Sequence, residues 1–515
     1  MKKLLALLLG TASLLAAQPA RPKLVVAITV DQFRYDYLSR FRASYTGGID
    51  RLLKRGAVFA DAHYEHFPTV TAIGHSTIMS GATPSTSGII GNDWFDRQSG
   101  KTVTSVSDDT VRLLGAGDKS GSSPRRLLVS TLGDELKMAG PDKPRLIGIS
   151  MKDRSAILPV GHMADGAYWF DEDYGAFVSS TYYFPELPAW VKDFNAGRPS
   201  AKYLGADWKM LEGAEALATL PKEIGSKFYK ALKDTPYAND LVEEFAERAV
   251  VAEQLGAREV TDLLALSFSA NDYIGHAKGP DSQHVRDVSI RTDRMFDKLF
   301  RFLDSRIGMQ NVLVVMTADH GVAPVPEVMA KRKMPGGRMP AKIVQSSVQA
   351  KLSERFGEGK WILSPSEHSL YLDRDLIRRK NLDRDEVVQA AADVAAAIPH
   401  VARVYTQRQL VSGTLYADQV GRRVLNGFYA PRGADVMILL EPYWMFSASG
   451  TTHGTAYSYD SHVPMIFMGP GVKAGRFSRR VSVNDIAPTL AALLDVETPS
   501  GSAGRVLEEI FAPAE

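Results

Sequence analysis

Five apolar runs recur along the chain, and each is long enough to form a β-strand that is buried on both faces. The first, residues 23–31, has the sequence KLVVAITVD, in which branched side chains follow one another without a polar interruption. Continuous runs of this type are typical of a parallel sheet, whose two faces are both covered by helices. With their flanking polar residues, the other four runs cover 145–154, 262–276, 311–321 and 463–471.

Between these runs, apolar residues recur with the period of an amphipathic helix. One series extends over residues 241–255 and is followed by Gly256, and another extends over residues 285–303 and ends before Gly308. Glycine is a common residue at the end of a helix. Strands that alternate with helices predict an α/β fold, a three-layer sandwich with a mostly parallel central sheet.

Two segments interrupt this alternation. Residues 172–236 are rich in Tyr, Trp, Pro and Lys and have no clear periodicity, and residues 326–445 mix short strand-like and helix-like patterns. We predict that both are cap insertions over one edge of the sheet. The catalytic core would then consist of three parts, namely residues 23–171, 237–325 and 446–515.

Composition and charge exclude some classes of function. Hydrophobic residues make up 45% of the 515 residues and charged residues 23%, as in an ordinary globular protein. The formal net charge is only +2, and no polybasic arm is present, so we expect no nucleic acid binding.

The first residues have the features of an export signal. Lys2 and Lys3 precede an apolar run from Leu4 to Ala17, and small residues follow it. This run is shorter than the roughly 20 apolar residues of a membrane span. Because cysteine is absent, no disulfide or lipid-modified cysteine is available. We therefore predict a signal peptide over residues 1–20, a periplasmic or secreted protein and no membrane anchor after cleavage.

Acidic, basic and imidazole side chains follow the predicted strands. Ligands bind beyond the carboxyl ends of strands in sheets of this kind, so residues distant in sequence would converge on one edge. A single aspartate after a strand is more often a helix cap, but a set of them is harder to explain in that way. Asp and His clusters suit zinc, and two clusters suit a pair of ions about 4 Å apart, a geometry used for displacement at phosphorus. The residues at these positions are Asp31, Lys152, Arg154, Asp272, His276, Asp319 and His320.

The stretch HFPTVTAIGHSTIMSG, residues 66–81, places hydroxyls at the start of a predicted helix that Gly81 closes. Thr71 falls in the first turn, where free N–H groups and the helix dipole favour an alkoxide or a phosphate. A threonine hydroxyl needs activation, for example by a metal, to act as a nucleophile. From these residues alone, Thr69 or Thr71 is equally well explained as a cap of the helix.

Taken together, the motifs resemble those of the alkaline phosphatase superfamily. The closest resemblance is to the threonine-nucleophile, phosphate-irrepressible bacterial alkaline phosphatases, which are related to the nucleotide pyrophosphatase/phosphodiesterases. The motifs occur in the expected order over nearly the whole chain. They are VDQFRYDYL, FPTVTAIGHSTIMSGATPSTSGIIGN, ISMKDRSAILPVGHMADGAYWFD, DYIGH, TADHG, HGTAYSYDSHVP and DIAPTLAALL.

This resemblance implies a role for each matching residue and two zinc ions per chain. One ion would be held by Asp31, Asp319, His320 and the oxygen of Thr71, and the other by Asp272, His276 and His453. Thr71 rather than Thr69 would be the nucleophile and would form a phosphothreonine intermediate. Asn92, Lys152 and Arg154 would bind the phosphoryl oxygens. His462 is a competing candidate for the position of His453.

The charges of these residues favour phosphate monoesters as substrates. Two Zn²⁺ ions, three aspartates, Lys152, Arg154 and a threonine alkoxide leave the site positive by about two charges, which matches a monoester dianion. In the resembling family, the Lys/Arg pair is a feature of monoesterases, whereas diesterase relatives have an apolar pocket at that place.

Three alternatives remain open at this point. The nearest is a phosphodiesterase or nucleotide pyrophosphatase with the same two metals. A non-catalytic periplasmic protein that binds metal or phosphate is disfavoured, because no ligand or nucleophile position is vacant. A sulfatase of this superfamily would use a modified Cys or Ser, and the chain has no Cys.

Overall fold

A computed structural model describes residues 21–511 except 142, 214, 366, 367 and 416. The signal peptide predicted for residues 1–20 lies outside these residues. No helix among the described residues combines the length and the apolar character needed to cross a membrane.

All five apolar runs contain strands. In chain order, the strands are β1 Leu24–Val30, β2 Ala57–His63, β3 Asp93–Asp96, β4 Lys101–Thr104, β5 Ser107–Leu114, β6 Ser120–Ser122, β7 Leu146–Ser150, β8 Gly166–Asp171, β9 Ala176–Ser180, β10 Asp207–Lys209, β11 Ala216–Thr219, β12 Asp262–Phe268, β13 Val312–Thr317, β14 Gly337–Arg338, β15 Ile362–Pro365, β16 Ser369–Leu372, β17 Val401–Thr406, β18 Val436–Leu440, β19 Trp444–Met445, β20 His462–Met468, β21 Gly475–Phe477 and β22 Val481–Ser482.

The helices follow the predicted periodicity where it was clearest. They are α1 Asp36–Arg40, α2 Gly48–Arg55, α3 Thr71–Ser80, α4 Pro84–Ser87, α5 Leu132–Met138, α6 Asp153–Ile157, α7 Ala189–Ala196, α8 Ser226–Lys233, α9 Tyr237–Ala252, α10 Ala270–Lys278, α11 Gln283–Arg306, α12 Pro326–Lys331, α13 Ala341–Phe356, α14 Arg374–Arg379, α15 Arg384–Ala396, α16 Gln407–Ser412, α17 Gln419–Asn426, α18 Ser458–Ser461 and α19 Ile486–Leu494.

The central sheet has the order β21-β2-β20-β13-β1-β12-β7-β8-β9-β5-β6, with β22 paired to β2. Its middle, from β13 through β1, β12 and β7 to β8, is parallel. The strands β1, β7, β12 and β13 are buried along their whole length, as expected for strands covered on both faces. Helices α2, α9 and α11 pack together, and α3, α5, α6 and α19 pack together as a second set. The predicted α/β fold with a mostly parallel sheet is confirmed.

The last of the five runs differs from its neighbours in direction. Strand β20 is antiparallel to both β13 and β2. At the other end of the sheet, β9, β5 and β6 also join by antiparallel pairing. Periodicity gives no information on strand direction, so these antiparallel borders are a finding of the structure.

The two segments that interrupt the alternation have different structures. Strand β9 of the first segment joins the central sheet, and buried side chains such as Val191, Trp208 and Phe228 belong to the main core. In contrast, residues 337–446, here called the lobe, contain a separate sheet β15-β16-β18-β17 and an apolar cluster of their own. The division of the chain into a core and two cap insertions stays a prediction.

Candidate active site

The site lies where β1, β7, β12 and β13 end side by side. Asp31 follows β1, Lys152 follows β7, Asp272 lies in the first turn of α10 after β12, and Asp319 follows β13. Because β1 pairs in register with both β12 and β13, the parallel strands end at nearly the same level. All three aspartates are buried, so the fold gathers three carboxyl groups away from water.

Around Asp31 and Asp319, a first group of side chains meets at one imidazole nitrogen. His320 Nε2 lies 3.5 Å from Asp31 Oδ1 and 3.3 Å from Asp319 Oδ2. The hydroxyl oxygen of Thr71 lies 3.4 Å from the same nitrogen. The four residues that the resemblance assigns to one zinc ion are therefore brought together.

A second group surrounds Asp272. His276 Nε2 lies 3.1 Å and His453 Nε2 lies 3.8 Å from Asp272 Oδ1. One ligand atom from each of these three residues lies within 4.8 Å of the others. The rings of His320 and His453 stack with their centroids 3.5 Å apart, so the two groups adjoin each other.

The three histidines share one orientation that suits metal binding. The Nδ1 atoms of His276, His320 and His453 lie 2.8–2.9 Å from backbone carbonyl oxygens of Thr451, Gly321 and Thr69. A carbonyl only accepts, so each Nδ1 carries a proton, and Nε2 is the nitrogen of each ring that faces the carboxylates. Histidines that bind metals are usually held in this way.

Two carboxylate oxygens of the site have no hydrogen-bond partner in the described part of the chain, which suits a metal ion. Asp31 Oδ1 and Asp319 Oδ2 are buried, and neither has a hydrogen-bond partner among the described residues. Buried polar oxygens normally have a partner, so these two atoms need a cation or a donor that the chain itself does not supply. Carboxylate oxygens and imidazole nitrogens are suitable ligands for divalent zinc.

Thr71 is positioned by the close packing of its helix on the strand end. It is the first residue of α3, and Gly81 ends the helix in the left-handed conformation at φ 66°. A Cβ atom at Gly74 would lie 2.2 Å from the carbonyl oxygen of Asp319, so only glycine permits this approach. The hydroxyl of Thr69 instead donates a hydrogen bond of 2.8 Å to the carbonyl of Thr455. Of the two threonines, only Thr71 has its hydroxyl among the predicted ligands.

Two of the three predicted phosphate-binding residues, Asn92 and Lys152, contact residues of this site directly. Asn92 Oδ1 accepts a hydrogen bond of 2.9 Å from the N–H of Ala72, which turns its amide NH₂ group outward as a donor beside Thr71. Lys152 Nζ lies 2.6 Å from both Asp31 Oδ2 and Asp272 Oδ2. Arg154 Nε is buried without a hydrogen-bond partner in the described part of the chain.

The electrostatics of the three aspartates are unequal. Burial raises the pKa of Asp319 well above its usual range, and the neighbouring carboxylate of Asp31 raises it further. Burial also raises the pKa of Asp272, but Lys152 and His276 outweigh this effect and hold the pKa well below the usual value. Burial lowers the pKa of His276, whereas Asp272 raises it, to about 9. The ammonium group of Lys152 therefore stabilises the ionised form of Asp272 better than that of Asp319.

Gln32 is a site residue that the sequence analysis missed. Its backbone N–H donates to Asp319 Oδ1 at 3.1 Å, and its side-chain amide donates to Asp272 Oδ1 at 2.6 Å. It holds both groups in place from a left-handed backbone conformation with φ 61°. A glutamine directly after a strand-end aspartate was the only available signal, and it does not reveal such a conformation.

Two histidines of the motifs are not assigned as ligands, and one of them, His75, lies beside the first group with its Nδ1 3.4 Å from Asp319 Oδ2. His75 donates from Nδ1 to the carbonyl of Thr71 and contacts Ser267 with Nε2, which agrees with a supporting role. His462, which competed with His453 as a candidate ligand, contacts the carbonyl of Ala60 on β2 instead.

A cavity of about 350 Å³ opens beside Asn92. The core contributes Val70, Ile90 and Trp94 to its walls, and the lobe contributes His368, Tyr371, Phe428 and Met437. The lobe therefore forms one wall of a space next to the site that is lined by both apolar and polar groups.

Comparison with known proteins gives consistent matches over nearly the whole chain. The family described as type I phosphodiesterase / nucleotide pyrophosphatase matches residues 25–462. Alkaline phosphatase PhoV of Synechococcus elongatus is 38% identical, with 96% of this chain and 93% of the relative covered. Alkaline phosphatase PafA of Elizabethkingia meningoseptica is 36% identical over 99% of both chains.

Solved structures of PafA show the same fold. The wild-type crystal structure superposes with a TM-score of 0.90 at 36% identity, covering 96% of this chain and 99% of that chain. A second PafA structure, in which a threonine, an asparagine, a lysine and an arginine are substituted, gives a TM-score of 0.89 at 35% identity, with 96% of this chain and 99% of that chain covered.

Proposed function

Since the chain belongs to the type I phosphodiesterase / nucleotide pyrophosphatase family, we propose that it is a zinc-dependent alkaline phosphatase that hydrolyses phosphate monoesters through a phosphothreonine intermediate. The main support is that three buried aspartates and three histidines lie in two adjoining groups at one sheet edge, with the hydroxyl of Thr71 3.4 Å from His320 Nε2. The full-length similarity to PhoV and PafA, both named alkaline phosphatases, supports the same activity.

Two zinc ions per chain are part of this proposal. Asp31, Asp319, His320 and Thr71 would hold one ion, and Asp272, His276 and His453 would hold the other. When bound, the ions would lower the pKa of a coordinated hydroxyl or water and neutralise charge on the phosphoryl group.

The residues of the chain would carry out a double displacement. The Thr71 oxygen attacks phosphorus in line and releases the alcohol, which leaves a phosphothreonine. A water molecule then attacks the phosphorus and releases inorganic phosphate, so that two inversions give net retention of configuration. The fixed position of Thr71 at the start of α3 removes much of the entropic cost of bringing the reacting atoms together.

A preference for monoesters rests on Asn92, Lys152 and Arg154. An amide and two cations that follow the site-forming elements would suit the oxygens of a monoester dianion better than those of a diester, which carries a single negative charge. The same three residue types, together with a threonine, are substituted in the PafA variant structure. Because Lys152 also donates hydrogen bonds to Asp31 and Asp272, it would both bridge these two carboxylates and contact the substrate.

The cavity beside Asn92 favours a second candidate function. Its apolar and aromatic walls could take the second ester group of a phosphodiester, as in a phosphodiesterase with the same metals. In a monoesterase, the same walls would contact the organic part of the substrate.

One substrate comparison separates these two functions. We expect p-nitrophenyl phosphate to be hydrolysed with a far higher kcat/KM than bis-p-nitrophenyl phosphate. The double change Lys152→Ala and Arg154→Ala should lower kcat/KM for the monoester by about 10²-fold or more and affect the diester far less. Lys230→Ala, which removes an exposed lysine paired with Asp173, is the control. Equal losses on both esters would contradict the assignment of these cations to monoester recognition.

The predicted location is kept as part of the proposal. An export signal over residues 1–20 would deliver the enzyme to the periplasm or the medium, where small phosphate esters are its substrates and no membrane anchor remains after cleavage.

A further inference from the structure

A third group of potential metal ligands lies away from the predicted active site. Asp61 and His63 belong to β2, and His462 is the first residue of β20. One ligand atom from each of the three lies within 4.8 Å of the others. Neither the resemblance nor the proposed mechanism uses any of these residues.

The sheet itself brings these side chains together. His63 and His462 are directly paired across the antiparallel ladder between β2 and β20. Asp61 precedes His63 by two residues and lies where the register of the ladder shifts, between Phe59 and Ala62. The rings of His63 and His462 stack with centroids 4.5 Å apart, and Tyr35 stacks on the other side of His462 at 4.4 Å. Because the two imidazole planes are only 14° apart, one ring must turn about its Cβ–Cγ bond before a nitrogen of each ring can point at a shared ion.

Hydrogen bonds fix the imidazoles as they do in the predicted active site. His462 Nε2 lies 3.0 Å from the carbonyl oxygen of Ala60, so Nε2 carries the proton and Nδ1 presents a lone pair. His63 Nδ1 lies 3.1 Å from Ser461 Oγ, and its Nε2 lies 2.7 Å from Asp61 Oδ1. A histidine that binds a metal through one ring nitrogen usually makes a hydrogen bond with the other. Both imidazoles have one nitrogen in such a hydrogen bond.

The cluster is also open enough for an ion to enter. The side chain of Asp61 is 39% exposed, whereas that of His63 is only 7% exposed. The nearby guanidinium of Arg480 is paired with Glu65 at 2.8 Å.

We propose that Asp61, His63 and His462 form a separate divalent-metal site of the zinc type. Two imidazoles and one carboxylate are a common zinc ligand set, with the remaining position left for water. An ion there would join β2 to β20 at the end of the segment 453–462, which also carries His453. The site would therefore stabilise the strand border next to the predicted active site without taking part in the reaction.

Anomalous scattering at the zinc edge tests this site independently of the proposed function. Crystals of the full chain grown with a small excess of zinc should show a peak about 2.0–2.2 Å from atoms of Asp61, His63 and His462. The peak should weaken strongly in Asp61→Asn and disappear in His462→Gln, while kcat/KM stays within twofold. His284→Gln, which removes an imidazole in edge-to-face contact with Trp208, should leave the peak unchanged.

The outcomes at the two places are separate. A wild-type crystal without a peak at the cluster overturns the proposal, whatever the Asp31 and Asp272 groups contain. A peak at the cluster without zinc near Thr71 supports this site and contradicts the proposed mechanism instead. As a second readout that does not need crystals, zinc should raise the Tm of the wild type more than that of Asp61→Asn.

Discussion

Two clusters of buried charged groups in this chain differ in their ratio of carboxylates to cationic groups. At the sheet edge, three buried aspartates, Asp31, Asp272 and Asp319, share the ammonium of Lys152. In the lobe, one buried carboxylate, Asp435, contacts three guanidinium groups and also accepts a hydrogen bond from the N–H of Leu372. The sheet-edge cluster has more carboxylates than ammonium groups, and the lobe cluster has more guanidinium groups than carboxylates.

The difference shows what each cluster is for. The three guanidiniums around Asp435 belong to Arg97, Arg374 and Arg384, and Arg97 comes from the hairpin β3–β4 of the core. This network therefore joins the lobe to the core, and every oxygen of Asp435 has a partner. At the sheet edge, unpaired carboxylate oxygens remain, and such an excess of negative charge suits metal cations that arrive from outside the chain.

The largest expected effect comes from changing a carboxylate at the sheet edge. Asp319→Asn should lower kcat/KM by on the order of 10³-fold or more, because a metal ligand and part of the electrostatic stabilisation are lost. In the metal-free protein, the same change should raise the free energy of unfolding, since one of several crowded carboxylates is removed. Steady-state kinetics and urea unfolding after chelation measure the two effects. Asp297→Asn, at a surface pair with Arg301, is the control.

In the lobe, the corresponding change should act on stability. Asp435→Asn leaves three guanidiniums without their anion, so the free energy of unfolding should fall by about 3–5 kcal/mol. Asp385→Asn, which breaks an exposed pair with Arg408, should cost less than about 1 kcal/mol. If the two variants unfolded at the same urea concentration, the Asp435 network would have no special role in holding the lobe.

A smaller expected effect is that the contributions of Asp319 and Asp435 to the free energy of unfolding depend on pH in opposite directions. Burial and Asp31 raise the folded pKa of Asp319, so the folded metal-free chain binds more protons than the unfolded chain and loses stability as pH rises from about 4 through that raised pKa. Burial would raise the pKa of Asp435, but Arg97 and Arg374 outweigh it and lower the pKa. Its contribution is therefore present above about pH 4 and is lost as pH falls through the lowered pKa.

Chemical unfolding of the chelated protein over a pH series measures this contrast. Asp319→Asn should remove the loss of stability that occurs as pH rises above about 4. Asp435→Asn should remove the loss that occurs as pH falls below about 4. Identical pH profiles for the two variants would contradict the difference between the clusters.

Local patterns in the sequence predicted much of this fold. The continuous apolar runs lie in the central sheet, and the run after Pro68 is a helix that ends at Gly81 with left-handed backbone. Strand ends carry the polar residues because parallel strands finish at one edge, so the convergence of Asp31, Asp272 and Asp319 followed from the predicted topology.

Other features depend on contacts between distant residues and gave no local signal. The antiparallel direction of β20 depends on its neighbours β2 and β13. The bridging role of Gln32 depends on a left-handed backbone that a side-chain pattern does not reveal. Asp435 is one polar residue before an apolar strand, and its three arginines lie between 51 and 338 residues away along the chain.

Trapping the covalent intermediate is the most direct test of the central claim, that a metal-assembled cluster of aspartates and histidines activates Thr71. The zinc-loaded enzyme is mixed with a phosphate monoester, quenched in acid and digested, and the peptides are analysed by mass spectrometry. We predict phosphate on Thr71 in the wild type and in Thr69→Ala, none in Thr71→Ala, and loss of the signal after zinc is removed. Phosphate on another residue, or on Thr71 without any dependence on metal, would contradict the account.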